Sequence, residues 1–146
     1  ELVYPVHLSP VVRNAAQEYL SGHERIHLID PLTPDEMHNL MARAAFVMTD
    51  SGGLQEEAPS CGVPVLVLRT ETERPEAVEA GTVKVVGVKE EDIYNEAVTL
   101  LTQQEAYDKM AKAVNPYGDG NACRRIAHAI RWHFGLTEEK PEDFNA

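Results

Sequence analysis

Thr49-Asp50-Ser51-Gly52-Gly53-Leu54-Gln55-Glu56-Glu57-Ala58-Pro59 follows directly on the apolar run Ala45-Phe46-Val47-Met48, and this junction decides how the chain is built. An apolar run, a polar turn with two glycines and a segment opening on paired carboxylates read as strand, turn and helix N-terminus. Unpaired backbone N–H groups and the positive end of the helix dipole converge at such a junction, which makes it a natural anion site. A carboxylate one turn further in is suited to sugar hydroxyls. Phosphate and ribose side by side would mean a nucleotide.

The flanking sequence repeats the pattern. Leu2–Val6, Ile26–Ile29, Pro64–Leu68 and Val83–Val86 are, like Ala45–Thr49, short runs rich in Val, Ile or Leu. Such runs suit parallel strands covered on both faces. Between them lie helical faces: Val12, Ala15, Ala16, Tyr19 and Leu20, then Met37, Leu40, Met41 and Ala44, spaced at i, i+3, i+4, i+7. Ser9-Pro10 and Thr33-Pro34 supply the N-cap and first-turn proline that start these two helices. After the last strand come Ile93, Ala97, Leu100 and Leu101, then Tyr107, Met110, Ala111 and Val114. A final helical face carries Ala122, Ile126, Ala129, Ile130 and His133. Strand–helix alternation with short connections predicts an α/β fold, a doubly wound (Rossmann-like) parallel sheet, with ligands outside the carboxyl ends of its strands. Residues 1–134 are expected to form one such domain with terminal helices, and 135–146 an acidic, frayed tail.

Bulk properties narrow the function. The 146 residues carry 13 basic and 24 acidic side chains, a net charge of −11, which argues against a nucleic-acid or anionic-membrane surface. A bound phosphate must therefore be held locally, by backbone N–H groups and a few arginines. Cys61 and Cys123 make neither a disulfide scaffold nor a metal cluster and read as free thiols of a reducing, cytoplasmic compartment. No apolar run approaches the roughly 20 residues of a membrane span, and no signal peptide is evident. Glu1-Leu2-Val3-Tyr4-Pro5-Val6 opens in a strand without an initiator Met, so the chain reads as a piece of a longer protein.

The candidate residues each admit two readings. Gly52 and Gly53 let backbone approach a phosphate while Ser51 adds a hydroxyl donor, or the turn is simply an N-cap. Glu56 and Glu57 complement the helix dipole, or one of them accepts both hydroxyls of a ribose diol. Arg74, before Pro75 in the loop after Pro64–Leu68, points at a phosphate held by the Ser51 turn, or makes a surface ion pair with Glu71 or Glu76. His7 lies at a strand end on the same rim, or is a packed loop residue. Asn115-Pro116-Tyr117-Gly118-Asp119-Gly120 reads as a rigid connector. Trp132 near the last helix end is partly buried packing, or braces a missing half. The six histidines form no zinc motif.

Taken in order, Pro5-Val6-His7-Leu8-Ser9-Pro10, the Thr49–Ser60 run, Arg74-Pro75-Glu76-Ala77 with Ala80-Gly81-Thr82, and Asn115–Gly120 closely resemble the non-hydrolysing bacterial UDP-N-acetylglucosamine 2-epimerases. The likeness covers residues 2 to about 134. It implies the C-terminal, nucleotide-binding half of a two-domain glycosyltransferase-B-like enzyme. That enzyme interconverts UDP-GlcNAc and UDP-ManNAc by eliminating UDP to 2-acetamidoglucal and adding it back, without cofactor or metal. By resemblance, Ser51, Gly52 and Gly53 bind the UDP phosphates, Glu57 the ribose, and Arg74 the nucleotide. The backbone near Leu32 and Met37 meets uracil, and His7 helps to bind a second, activating UDP-GlcNAc. The family's catalytic carboxylates and essential histidine belong to the domain upstream of Glu1, so no catalytic residue is expected here and the chain alone should be inactive. The implied partners are UDP and its sugars, the N-terminal domain, and a second copy of the full-length protein. Ser9, Cys61 and Thr70-Glu71 depart from the family's usual Asn, Leu and Asp-Thr. The alternatives are the corresponding half of a glycosyltransferase and a non-catalytic nucleotide-sugar module.

Overall fold

The computed structural model describes residues 1–143. They form β1 (Leu2–Pro5), α1 (Pro10–Leu20), β2 (Ile26–Ile29), α2 (Pro34–Met41), β3 (Val47–Thr49), α3 (Gly52–Glu57), β4 (Val65–Val67), α4 (Pro75–Ala80), β5 (Val83–Val85), α5 (Glu90–Thr102), α6 (Gln104–Ala111) and α7 (Ala122–His133). A 3₁₀ turn over Ala58–Cys61 continues α3. Each expected strand is present, and every pairing is parallel, as the strand–helix alternation requires. The pairing falls into two ladders, and the chain divides into two compact units, Glu1–Leu40 and Met41–Ala146.

In the first unit β1 pairs with β2, Leu2 opposite Ile26 through Pro5 opposite Ile29. Parallel neighbours need a crossover, and α1 supplies it. Pro10 begins α1 at the first helical position, while the Ser9 hydroxyl makes no capping bond. The start therefore rests on proline's fixed φ rather than on a side-chain cap. Arg13 on α1 reaches Asp30 beyond β2 at 2.6 Å. At α2 the cap is complete: the Thr33 N–H and hydroxyl donate to the Glu36 carboxylate at 2.9 and 2.8 Å, and the Glu36 N–H returns to the Thr33 hydroxyl at 3.4 Å. This is the reciprocal capping box. The Thr33 amide, and then its hydroxyl, hold the Glu36 carboxyl below its ordinary pKa.

In the second unit β4 lies between β3 and β5, with Val65 opposite both Val47 and Val83. Val65, Leu66 and Val67 are wholly buried. Burial on both faces holds for β4 alone. The other strands each leave a residue exposed (Val3, His27, Met48 and Lys84). Leu66, Val86 and Leu100 form the core, with Phe46, Leu68, Ile93, Ala97 and Met110 packed around them. Ile93, Ala97 and Leu100 thus form the buried stripe of α5, whereas Leu101 is exposed. Truncating a core residue such as Leu66 to Ala is worth about 2–5 kcal/mol.

Two helices stop short of their apolar patterns. Ala44 N–H bonds to the Met41 carbonyl and Ala113 N–H to the Met110 carbonyl, both three residues back. The closing turns tighten, leaving Ala44 and Val114 outside α2 and α6. On α7, Ile126, Ile130 and Trp132 are exposed, as is Phe134 beyond it. Residues 137–143 carry no helix or strand; the rest of the expected acidic tail, 144–146, lies outside the described residues. Among the described residues no helix is long and apolar enough to cross a membrane.

Candidate functional site

Parallel pairing of β3 with β4, Thr49 opposite Val67, brings the carboxyl ends of both strands to one edge. The loops leaving them are therefore neighbours. Asp50–Ser51 leads into α3, and residues 68–74 lead into α4.

Ser51 is the N-cap of α3 in extended conformation (φ −79°, ψ 131°), yet its hydroxyl makes no capping bond. Its N–H donates to the Thr49 hydroxyl at 3.0 Å. The bland reading of this turn thus loses its side-chain half, since Ser51 occupies the cap position without using its oxygen there. Neither Gly52 nor Gly53 has a positive φ, so the backbone does not require glycine at either position. A side chain at either would meet neighbours. A Cβ on Gly53 would stand 3.4 Å from the Glu57 Oε1 and 3.9 Å from the Ser51 Oγ. One on Gly52 would stand 3.8 Å from both the Arg74 Nη2 and the Glu73 Oε2. Ser51 and Glu57 thus lie close to Gly53, and Arg74 and Glu73 close to Gly52.

Arg74 has a different partner from the two weighed on sequence. Its Nε donates to Glu56, and its Nη1 to the Glu73 carbonyl at 3.2 Å. Glu71 and Glu76 are not its bonded acceptors among these contacts, because the α3–β4 arrangement carries Glu56 across to it. Glu56, through hydrogen bond and charge, raises the guanidinium above its ordinary pKa. Of the two adjacent glutamates, Glu56 thus bonds Arg74 and Glu57 lies near Gly53. A cleft of about 380 Å³ lies against the same loop, lined by Leu68, Arg69, Thr72, Glu73 and Val88.

A partly buried chain of hydrogen bonds joins the two loops. The Arg74 N–H donates to the Thr72 hydroxyl at 3.1 Å, and that hydroxyl donates to the Gln55 Oε1 at 2.6 Å. The Gln55 amide then donates to the Ser51 carbonyl at 3.2 Å. Gln55 is fully buried. The sequence reading passed over both Gln55 and Thr72; the one available signal was an amide four residues beyond Ser51, one helical turn along.

The Asn115–Gly120 turn is stapled from both ends. Asn115 donates to the Ser60 hydroxyl at 2.8 Å, and Asp119 accepts two bonds from Arg125 at 2.7 Å each. Arg125 first, and then Asn121, hold the Asp119 carboxyl far below the usual range. The Tyr117 hydroxyl of this turn is buried. Burial, then Glu76 and Glu56, push its pKa up, while the Ala77 amide and Arg74 pull against them. The turn thus places an aromatic side chain beside the Arg74–Glu56 pair.

His7, Leu32 and Met37 belong to the first unit. The His7 ring is exposed, and its Nδ1 accepts the Ser9 N–H at 3.1 Å. Leu32 and Met37 flank the start of α2 and are half-buried. Cys61 and Cys123 are free and exposed.

The model of the UDP-N-acetylglucosamine 2-epimerase family matches residues 1–131. The chain belongs to this family. It is 55% identical over 144 residues to UDP-N-acetylglucosamine 2-epimerase of Bacillus subtilis strain 168, covering 99% of this chain and 38% of that protein. With the Escherichia coli K12 enzyme of the same name it shares 50% over 131 residues, 90% of this chain and 35% of the relative. The chain therefore spans little more than a third of these curated relatives. Among solved structures, S. aureus MnaA with UDP matches at TM-score 0.92 and 51% identity over 99% of this chain and 40% of that one. The Neisseria meningitidis UDP-GlcNAc 2-epimerase bound to UDP-GlcNAc matches at 0.80 and 48%, over 88% and 35%. The epimerase-family fold of this chain is accordingly α/β with parallel sheets, of the glycosyltransferase-B-like kind its structural relatives have.

Proposed function

We propose that this chain is the UDP-binding, C-terminal part of an enzyme that interconverts UDP-GlcNAc and UDP-ManNAc by eliminating UDP to 2-acetamidoglucal and adding it back. The observation that carries this reading is the closeness of the Ser51 hydroxyl and Glu57 carboxylate to Gly53, and of the Arg74 guanidinium, with the Glu73 carboxylate, to Gly52. A hydroxyl donor, bare backbone and a guanidinium suit a diphosphate. A carboxylate one turn away suits a ribose diol, to which charge-assisted hydrogen bonds are worth about 1.5–3 kcal/mol each. The names of the relatives and the UDP and UDP-GlcNAc held by two structural neighbours support it.

In this reading Ser51, Gly52 and Gly53 receive the phosphates, Glu57 the ribose, and Arg74 the negative charge that grows on UDP as it leaves. Glu56 orients the guanidinium while the site is empty and shares it when a diphosphate enters. For the first unit, the roles of the backbone near Leu32 and Met37 toward uracil, and of His7 toward a second UDP-GlcNAc, rest on the family resemblance alone. So do a homodimeric full-length protein and a cytoplasmic location.

Glu57→Ala in the complete enzyme is expected to weaken UDP binding by roughly one to two orders of magnitude, from about 1.5–3 kcal/mol lost. Calorimetric titration with UDP measures it, and an unchanged affinity refutes the ribose assignment. Epimer formation from UDP-GlcNAc, followed by NMR, tests the reaction itself. Irreversible transfer of the sugar to an acceptor would point instead to a glycosyltransferase.

A further inference from the structure

We infer that Thr72 and Gln55 are positioning residues of this nucleotide site, setting the distance between the Ser51 turn and Arg74 before any ligand arrives. The inference rests on the UDP reading above and goes beyond it, because neither side chain is among those that reading assigns to the ligand.

The bridge has a defined direction. Arg74 N–H donates to Thr72, Thr72 O–H donates to Gln55 Oε1, and Gln55 donates to the Ser51 carbonyl. Each donor is used in turn, so the Gln55 amide has one favoured orientation and the Thr72 hydroxyl one favoured rotor position. Its two ends are backbone groups of the residues proposed to grip the diphosphate from opposite loops. Neither end group is part of a strand ladder, since β3 ends at Thr49 and β4 at Val67. Without the bridge, a buried amide and two loop backbones would lack these partners. An apolar side chain at position 55 would hold α3 against β4 by packing, but it would not fix where the Arg74 loop stands relative to Ser51. Glu56, next in sequence, ties the guanidinium of the same Arg74. Consecutive residues of α3 thus hold Arg74 by its main chain and by its side chain.

A grip on a diphosphate depends on this distance, whereas a grip on a nucleoside does not. Thr72→Val in the complete enzyme keeps the shape of the side chain and removes its hydroxyl. It is expected to lower UDP affinity about tenfold and leave uridine affinity unchanged. Thr72→Ser, which restores the hydroxyl, is expected to recover UDP affinity. Glu57→Ala, by contrast, should weaken uridine and UDP alike. Gln55→Met keeps the volume and breaks both amide bonds, and it serves the same purpose if Thr72→Val does not fold. The measurements are titrations of each variant with UDP and with uridine, alongside thermal melts. A variant that melts earlier but keeps the parent ratio of UDP to uridine affinity overturns the inference, since the bridge is then only structural. A parent enzyme without measurable UDP affinity overturns the UDP reading itself, and the inference with it.

Discussion

Gly52 and Gly53 stand where alanine would fit the ligand-free protein. Their φ values are not positive, and the closest approach of a Cβ, 3.4 Å to Glu57 at position 53, is ordinary van der Waals contact. Alanine is also the better helix former, by up to about 1 kcal/mol. Gly53→Ala is therefore expected to leave the melting temperature unchanged or slightly raised while lowering UDP affinity about tenfold, because a methyl group there crowds a phosphate drawn up to the backbone. An alanine variant that binds UDP like the parent would show that the space is incidental. Glu57 and Arg74 were legible as candidates because their residue types and places in strand-end loops imply charge at a rim. That Arg74 pairs with Glu56 was not legible. The pair is separated by 18 positions, and only the packing of α3 beside the β4 loop makes them neighbours.

Among the elements, strands were the most legible, because short β-branched runs bounded by turns have few other stable forms. Ile26–Ile29 coincides with β2 to the residue. Helix ends were less so: apolar spacing carries on through Ala44 and Val114, while the backbone tightens and leaves the helix first. The Asn115–Gly120 turn was visible as a turn, but its attachment to α7 through Asp119 and Arg125 is a tertiary fact. That attachment has a pH signature. The folded-state pKa of Asp119 is depressed, so its contribution is fully present above the ordinary carboxylate value of about 4 and fades as pH falls below it. Asp119→Asn is expected to lose stability at neutral pH and to show a shallower acid limb in melts taken from pH 5 downward. An acid limb as steep as the parent's would place the acid sensitivity elsewhere, for example on Asp108, whose carboxyl is lowered by Lys112 and Gln104.

At the scale of the molecule, the chain spans 38% of the Bacillus subtilis relative, and the proposed roles of its residues are all of holding rather than of proton transfer. The isolated chain is expected to bind UDP more weakly than the complete enzyme does, because closure of a second domain ordinarily completes such a site. It is expected to form no UDP-ManNAc from UDP-GlcNAc. Detecting the epimer with this chain alone, in a preparation cleared of other proteins, would show that acid–base groups do lie within it.

The Thr49–Pro59 run, with its strand before and carboxylates after, was enough to place a strand–turn–helix junction on the rim of a parallel α/β fold. The four ordered motifs were enough to point to the family. Both follow from local chemistry: chain direction, glycine spacing and charge are written in consecutive residues. The tertiary structure decided what those residues do to one another. It turned Glu56 toward Arg74, set Glu57 near Gly53, and joined buried Gln55 to half-buried Thr72 as a bridge between two loops. Hydrogen bonds between α3 and the loop after β4 depend on side chains 17 and 18 positions apart, and no local pattern carries that separation.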